Sequence, residues 1–352
     1  MKIGIVTVYY TENCGSVLQA TELSDKLKKM GHEVYFISTR NKYSGHSKQR
    51  LIKSCLKNLI KFRDIKPVIK KYKDYDYYIH SQFNSINLKD ISQLDYIIIG
   101  SDTVWDITSK YFNKSKKIFW MTATPQIPII TYAASIANSG YDQLNSLPYV
   151  RTAIDSYRAV SVRDMYTYDY VQKYTEKDPI MVCDPTLLHD KTHYISKCKK
   201  LDEEKYMLLY LFNNPNECII NQIKEIAKNK KLKIIAMVCL GKTIAFADKC
   251  IESTIENFLS YFNQAECVIT NTFHGTVFSV IFNKKFITLD YNKVKINEFL
   301  EQISLNNHLS TNVESDLLYE KIDYTKVNSN LNKYRKNAEE FLESFVGGDT
   351  IV

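Results

Sequence analysis

The sequence predicts an α/β fold of two Rossmann-like domains facing a cleft, and three observations carry that expectation. The chain has 352 residues, more than one hydrophobic core ordinarily organises, so two domains are expected. Short apolar runs alternate with helical patterns through both halves, the pattern of parallel β-α-β units. Polar turns follow those runs, and in open parallel sheets such turns sit at the carboxyl edge, where ligands bind. With 45% hydrophobic and 24% charged residues, the composition is that of a packed globular protein and not of a disordered one.

Residues 2–9 read as a buried parallel strand. The turn 11–16 (TENCGS) leads into a helix over 17–30, with Val17, Leu18, Leu23 and Leu27 inward and Gly31 as its stop, and 32–38 supplies the second strand. This opening unit lacks G-x-G-x-x-G, so nicotinamide and flavin dinucleotides are not expected as cofactors. Residues 95–106 (DYIIIGSDTVWD) deliver a Gly-Ser-Asp turn at the end of a buried strand, and 127–135 forms another strand ending in small residues. A helix over 143–157, a short strand ending on Arg163-Asp164, a helix over 165–174 and a strand stopped by Asp184-Pro185 complete a first domain, assigned to 1–198. The charged run 197–205 reads as a linker. Strands over 206–212 and 232–238 alternate with helices over 216–228 and 254–262 in a second domain, assigned to 199–322. A last helix over 323–346 is long enough to cross back to the first domain, so 323–352 stands apart.

The formal charge of +8 suits anionic partners, and much of it is concentrated in the segment 42–75. Aliphatic residues recur there at near-helical spacing among Lys42, Lys48, Arg50, Lys53, Lys57, Lys61 and Arg63. This describes a basic amphipathic helix, which suits either peripheral contact with an anionic membrane or a solvated helix face; nucleic acid is not expected as a partner. The eight cysteines show no C-x2-C spacing, so zinc ribbons and disulfide frameworks are disfavoured. No signal-peptide pattern or membrane-spanning run is present, and a cytoplasmic location is expected.

The stretch 267–289 (CVITNTFHGTVFSVIFNKKFITL) is the most informative. It reads strand, polar turn, helix, basic turn, strand, and places His274 at a helix start beside Gly275. Such a helix end favours an anion, and a histidine there can move protons. A capping or core role for His274 is the competing reading. With it at strand ends are expected Asn13, Gly15, Ser101, Asp102, Ser135, Arg163, Asp184, Asn271, and Lys284 or Lys285.

Six blocks carry a resemblance: residues 13–20 (NCGSVLQA), 99–105 (IGSDTVW), 132–136 (YAASI), 161–164 (SVRD), 184–188 (DPTLL) and 270–279 (TNTFHGTVFS). They resemble, in order, motifs of the polysaccharide pyruvyl transferases, while 42–90 and everything after 292 match none. The resemblance implies a glycosyltransferase-B-like fold and transfer of a pyruvate ketal from phosphoenolpyruvate, a co-substrate, onto a glycan or lipid-linked oligosaccharide acceptor of a cell-surface polysaccharide. It implies His274 as the acid that protonates the enol methylene, with Asp102 as a second catalytic group. Arg163, Asn271, Thr272, Gly275, Lys284 and Lys285 are expected to bind donor. Asn13, Gly15, Ser16, Gln19, Ser101, Trp105 and Ser135 are expected to bind acceptor. No cofactor and no metal are expected, because His and Cys lack ligand spacing.

The chain departs from the family at two places. Thr272 stands where better-characterised members carry arginine, with Lys284, Lys285 or Lys242 as the available charges, and Cys14 stands where tyrosine is usual. Two other readings therefore stay open: a sugar transferase using a nucleotide-sugar donor, and a non-catalytic glycan-binding subunit.

Overall fold

The structure, a computed structural model, describes residues 1–39, 44–109, 116–122, 126–238, 243–290 and 294–346. Lys42 and Lys242 lie outside the described residues. The chain divides into two compact units. Met1–Leu51, Tyr75–Leu188 and Lys333–Val352 form the first; Ile52–Asp74 and His189–Asn332 form the second. The chain passes into the larger part of the second unit after Leu188, before the charged run read as a linker, and most of the basic segment groups with that second unit.

The first unit holds β1 (Lys2–Val6), β2 (Glu33–Ile37), β3 (Ser85–Ile86), β4 (Tyr96–Ile99) and β5 (Ile129–Thr131) in a parallel sheet of order β3-β2-β1-β4-β5. A further parallel pair, β6 (Ser161–Val162) and β7 (Ile180–Met181), follows on through single bridges from Ile130 and Ala134. The strands are runs of Ile and Val because both sheet faces are covered, and Ile97, Ile98 and Ile99 have no solvent exposure. The core under them includes Trp105 stacked on Trp120 at 5.1 Å, with Tyr157 beside them.

The second unit contains β8 (Tyr206–Tyr210), β9 (Lys233–Val238), β10 (Lys249–Glu252), β11 (Cys267–Thr270), β12 (Lys285–Leu289) and β13 (Leu309–Ser310). All are parallel, in the order β10-β9-β8-β11-β12-β13. Both sheets therefore follow the doubly wound order, and each reverses direction once: between β1 and β4 in the first, between β8 and β11 in the second.

Three expectations need correction. The helix expected over 143–157 is two, Tyr141–Asn145 and Pro148–Ser156, because Pro148 cannot continue a helix yet suits the first position of the next. The basic segment forms two helices, Lys48–Ile60 and Lys66–Gln82. The helix expected after the polar turn 270–275, from Thr276, starts at Phe273, capped by Thr272. The last helix, Tyr324–Val346, begins in the second unit and ends in the first, where Lys26 pairs with Glu339 at 2.6 Å and Tyr334 Oη donates to Val182 O at 3.1 Å.

Candidate active site

The reversal point of the first sheet is tied together by side chains from both flanking turns. Thr7, just past β1, donates through Oγ1 to Ser101 O at 2.8 Å, while Gln19 Nε2 donates to Thr7 Oγ1 at 3.0 Å and to Ser16 O at 2.8 Å. Ser16 Oγ donates to Asp102 Oδ2 at 2.6 Å. The β4 turn that presents Asp102 requires Gly100, whose φ is +115° and where a Cβ would meet Tyr132 O at 2.3 Å. Asp102 itself has φ +75°, the left-handed region that an aspartate tolerates at a local cost and that recurs at functional turns.

Arg163, at the end of β6, is buried between two carboxylates. Its Nη2 donates to Asp102 Oδ1 at 3.1 Å and its Nη1 to Asp184 Oδ2 at 2.6 Å. Burial pulls the guanidinium down, but Asp102, Asp184 and Asp164 outweigh that effect and hold it above its ordinary value. Asp184 is oriented in turn by the backbone N–H of Thr186 at 3.0 Å and its hydroxyl at 2.8 Å. Two carboxylates thus share one guanidinium.

At the reversal point of the second sheet, Thr270 ends β11 and donates through Oγ1 to Tyr210 O at 2.8 Å, at the end of β8. Thr272 caps the helix Phe273–Ile281 by accepting from Gly275 N at 2.9 Å. Gly275 is fixed by close approach, since a Cβ would stand 2.1 Å from Thr270 Oγ1. Asn271 accepts from Phe212 N at 2.9 Å, which fastens the β8 turn beside the β11 turn. On this frame His274, the second residue of the helix, is half-buried with its ring edge-on to Phe273 at 5.3 Å.

The polysaccharide pyruvyl transferase family profile matches residues 13–293, four-fifths of the chain and every strand end just described except that of β1. The chain belongs to the polysaccharide pyruvyl transferase family. No curated protein matches it. Solved structures share its fold at low identity. A UDP-N-acetylglucosamine 2-epimerase is 12% identical with a TM-score of 0.59, covering 99% of this chain and 96% of its own. The UDP-GlcNAc 2-epimerase of Neisseria meningitidis bound to UDP-GlcNAc is 11% identical with a TM-score of 0.57, at 99% and 100% coverage. Arabidopsis thaliana UGT89C1 complexed with UDP is 9% identical with a TM-score of 0.50, at 97% and 99%. These likenesses establish a glycosyltransferase-B-like α/β fold.

Several residues expected to touch ligand in this pyruvyl transferase family member are occupied within the protein. Trp105 has no solvent exposure and stacks in the core, so it is no acceptor platform. Ser135 is buried and accepts from Ala137 N at 3.1 Å; Ser101 is buried with its Oγ on Ala133 O at 3.2 Å. Asn13 caps the helix Cys14–Lys29 by accepting from Gly15 N. Thr272, Asn271 and Gly275 build the turn, and Arg163 has Asp102 and Asp184 on its fork. They shape the site.

Lys284 and Lys285 are displaced for a topological reason. Lys285 pairs with Cys267 at the amino end of its strand, three positions and roughly 10 Å from the Thr270 end. Lys284 Nζ donates to Ala265 O at 2.9 Å and Lys285 pairs with Glu266 at 3.0 Å, at that same amino edge. Burial first, then Lys191, pushes the Lys284 ammonium down to about 8, against Glu266 and Cys198. Among the described residues, a cation near the histidine turn is Lys295, in the first turn of the helix Val294–Gln302, with Nζ 5.7 Å from the Phe273 ring centre. Its position was readable as a lysine opening the helix after β12, hence at the carboxyl edge. The departure at Cys14 is also accounted for: the thiol is buried and lies 2.9 Å from the Tyr75 hydroxyl.

Proposed function

We propose that this chain transfers the pyruvate skeleton of phosphoenolpyruvate to two hydroxyls of one sugar as a cyclic ketal, on a cell-surface polysaccharide or its lipid-linked precursor. The observation that carries the proposal is the position of His274 at the carboxyl end of β11, at the reversal point of its sheet, within a chain of this family. His274 donates a proton to the enol methylene carbon, and C2 becomes oxocarbenium-like. A sugar hydroxyl bonds to C2 with loss of its proton, inorganic phosphate leaves with its C–O bond electrons, and the second hydroxyl bonds to C2 with loss of its own proton to close the ketal. Lys295 and the helix start favour the anionic donor on the second unit. Asp102, held by Ser16 and Arg163, accepts from an acceptor hydroxyl. No metal or cofactor is required, since Asp102 and Asp184 already have a cation in Arg163. The basic segment brings the chain to the anionic membrane that carries a lipid-linked acceptor.

Thr272, an internal cap where an arginine fork is expected, favours a second reading, sugar transfer from a nucleotide sugar. Purified protein incubated with phosphoenolpyruvate and a glycan-lipid acceptor separates the two. Phosphate release with a pyruvylated product supports the first. Nucleoside diphosphate release and hexose addition, with a thermal shift for nucleotide sugars but none for phosphoenolpyruvate, replaces it with the second.

A further inference from the structure

We propose that the helix Lys48–Ile60 and the following Phe62 insert an apolar face into the headgroup layer of an anionic membrane. This deepens the peripheral reading above and rests on it for the acceptor, while the surface itself stands on the helix alone. A helix on a water-facing surface turns its apolar stripe inward. This one is inverted. Ile52 and Ile60 are 58% and 77% exposed, Leu56 and Leu59 are also exposed, and the one fully buried residue is the amide Asn58, at 5%, with Leu51 and Cys55 half-buried. At about 100° per residue these four aliphatic side chains occupy one arc of roughly 100°, with Lys53 and Lys57 along one border and Lys48 along the other.

Phe62 extends the same surface. It is fully exposed, in the turn after the helix, with φ +51°. Glycine or asparagine ordinarily fills a left-handed position just past a helix. A phenylalanine there is strained and packs on nothing within the described protein, which is understandable only if it has a use outside it. Five of the fourteen exposed large apolar side chains among the described residues fall between positions 52 and 62. That density marks a binding surface, not the scattered exposure of an ordinary one.

Charge identifies the occupant. Residues 48–66 contain seven Lys or Arg and one acid, Asp64. A second copy of this chain would bring the same seven cations to the contact and be repelled. A nucleic-acid backbone would satisfy the cations but offers nothing to the aliphatic arc. Anionic lipid answers both, headgroups taking the lysines and acyl chains the apolar side chains. The helix lies on the surface and does not span, because no described helix is long and apolar enough to cross a membrane. The next helix, Lys66–Gln82, is held to the protein: Lys71, buried, donates to Ser253 Oγ at 2.9 Å and lies 3.8 Å from Glu252.

The test uses the full chain carrying Phe62→Trp, with vesicles of phosphatidylcholine alone or with phosphatidylglycerol. Trp105 and Trp120 are buried, so an emission change reports position 62. Phosphatidylglycerol vesicles should shift that emission to the blue, and brominated acyl chains should quench it. The Ile60→Ser/Phe62→Ser double variant should bind these vesicles roughly tenfold or more weakly, yet transfer normally to a water-soluble acceptor. Equal vesicle binding by double variant and wild type, or no binding by either, overturns the proposal. So does a concentration-dependent dimer that the double variant converts to monomer. None of these readouts depends on which donor the transfer uses.

Discussion

Ser16 Oγ and Asp102 Oδ2 meet at 2.6 Å across 86 positions of sequence, which fixes the first βα turn against the turn after β4. Arg163 holds the other oxygen of Asp102 at 3.1 Å, so both sides of one carboxylate are set by protein groups. That arrangement suits orientation of a neutral hydroxyl better than capture of an anion, because the Arg163 fork is already taken up by Asp102 and Asp184.

Replacement of Arg163 tests that assignment. Arg163→Ala leaves Asp102 and Asp184 buried without their shared cation, and breaking such a pair costs about 3–5 kcal/mol. Urea denaturation should show that loss, with Arg163→Lys intermediate because it keeps the charge and loses the fork. A stable Arg163→Ala protein with weakened phosphoenolpyruvate binding would instead assign the arginine to the donor.

Activity should survive dialysis against a chelator. Asp102 and Asp184 are neutralised in part by Arg163, which weakens their attraction for a further cation. Turnover lost on dialysis and restored only by magnesium or manganese would show that a cation takes part.

Much of this was legible from residue order. Thr270 and Phe273 to Ile281 follow from a β-branched run, a capping threonine and a glycine, and the helix start missed its place only because Thr272 caps three residues earlier than apolar periodicity suggests. The edge strand β10, KCIE, carries too little apolar pattern to be seen. Which polar residues are used internally was not legible: Trp105, Ser135 and Thr272 read as surface turn residues until the packing of Trp120, Ala137 and Gly275 against them is known. Lys284 and Lys285 misled because proximity in sequence to His274 is not proximity along a sheet. A helix and its following turn carry the chain back to the opposite edge.

Lys284 gives a pH signature of folding. Its pKa is lowered to about 8 by burial, from an ordinary 10.5, so the unfolded chain binds more protons between those values. Stability should therefore rise as pH goes from 8 toward 10, the burial penalty being full below 8 and relieved as the ammonium loses its proton. Above 10 the buried tyrosines Tyr157 and Tyr206, whose pKa values are raised by burial, oppose it. Lys284→Met should be more stable than wild type at pH 7 and lose this rise; a denaturation series showing the same slope in both proteins would rule out Lys284 as its source.

His274 and Lys295 separate chemistry from binding. His274 is half-buried on a turn whose hydrogen bonds come from Thr270, Asn271 and Thr272, so His274→Ala and His274→Gln should fold with unchanged melting behaviour. Their turnover should fall by about two to four orders of magnitude, the usual effect of losing a positioned acid, with donor affinity nearly kept. Lys295→Ala should do the reverse, raising KM for phosphoenolpyruvate with a smaller change in kcat, because a charge near the donor acts on ground and transition states alike. In His274→Gln the side chain can still donate a hydrogen bond but cannot deliver a proton to carbon, so activity retained in the glutamine variant would assign His274 to hydrogen bonding. A folded His274→Ala protein with near wild-type turnover would remove it from the mechanism, and one that fails to fold would make its role structural.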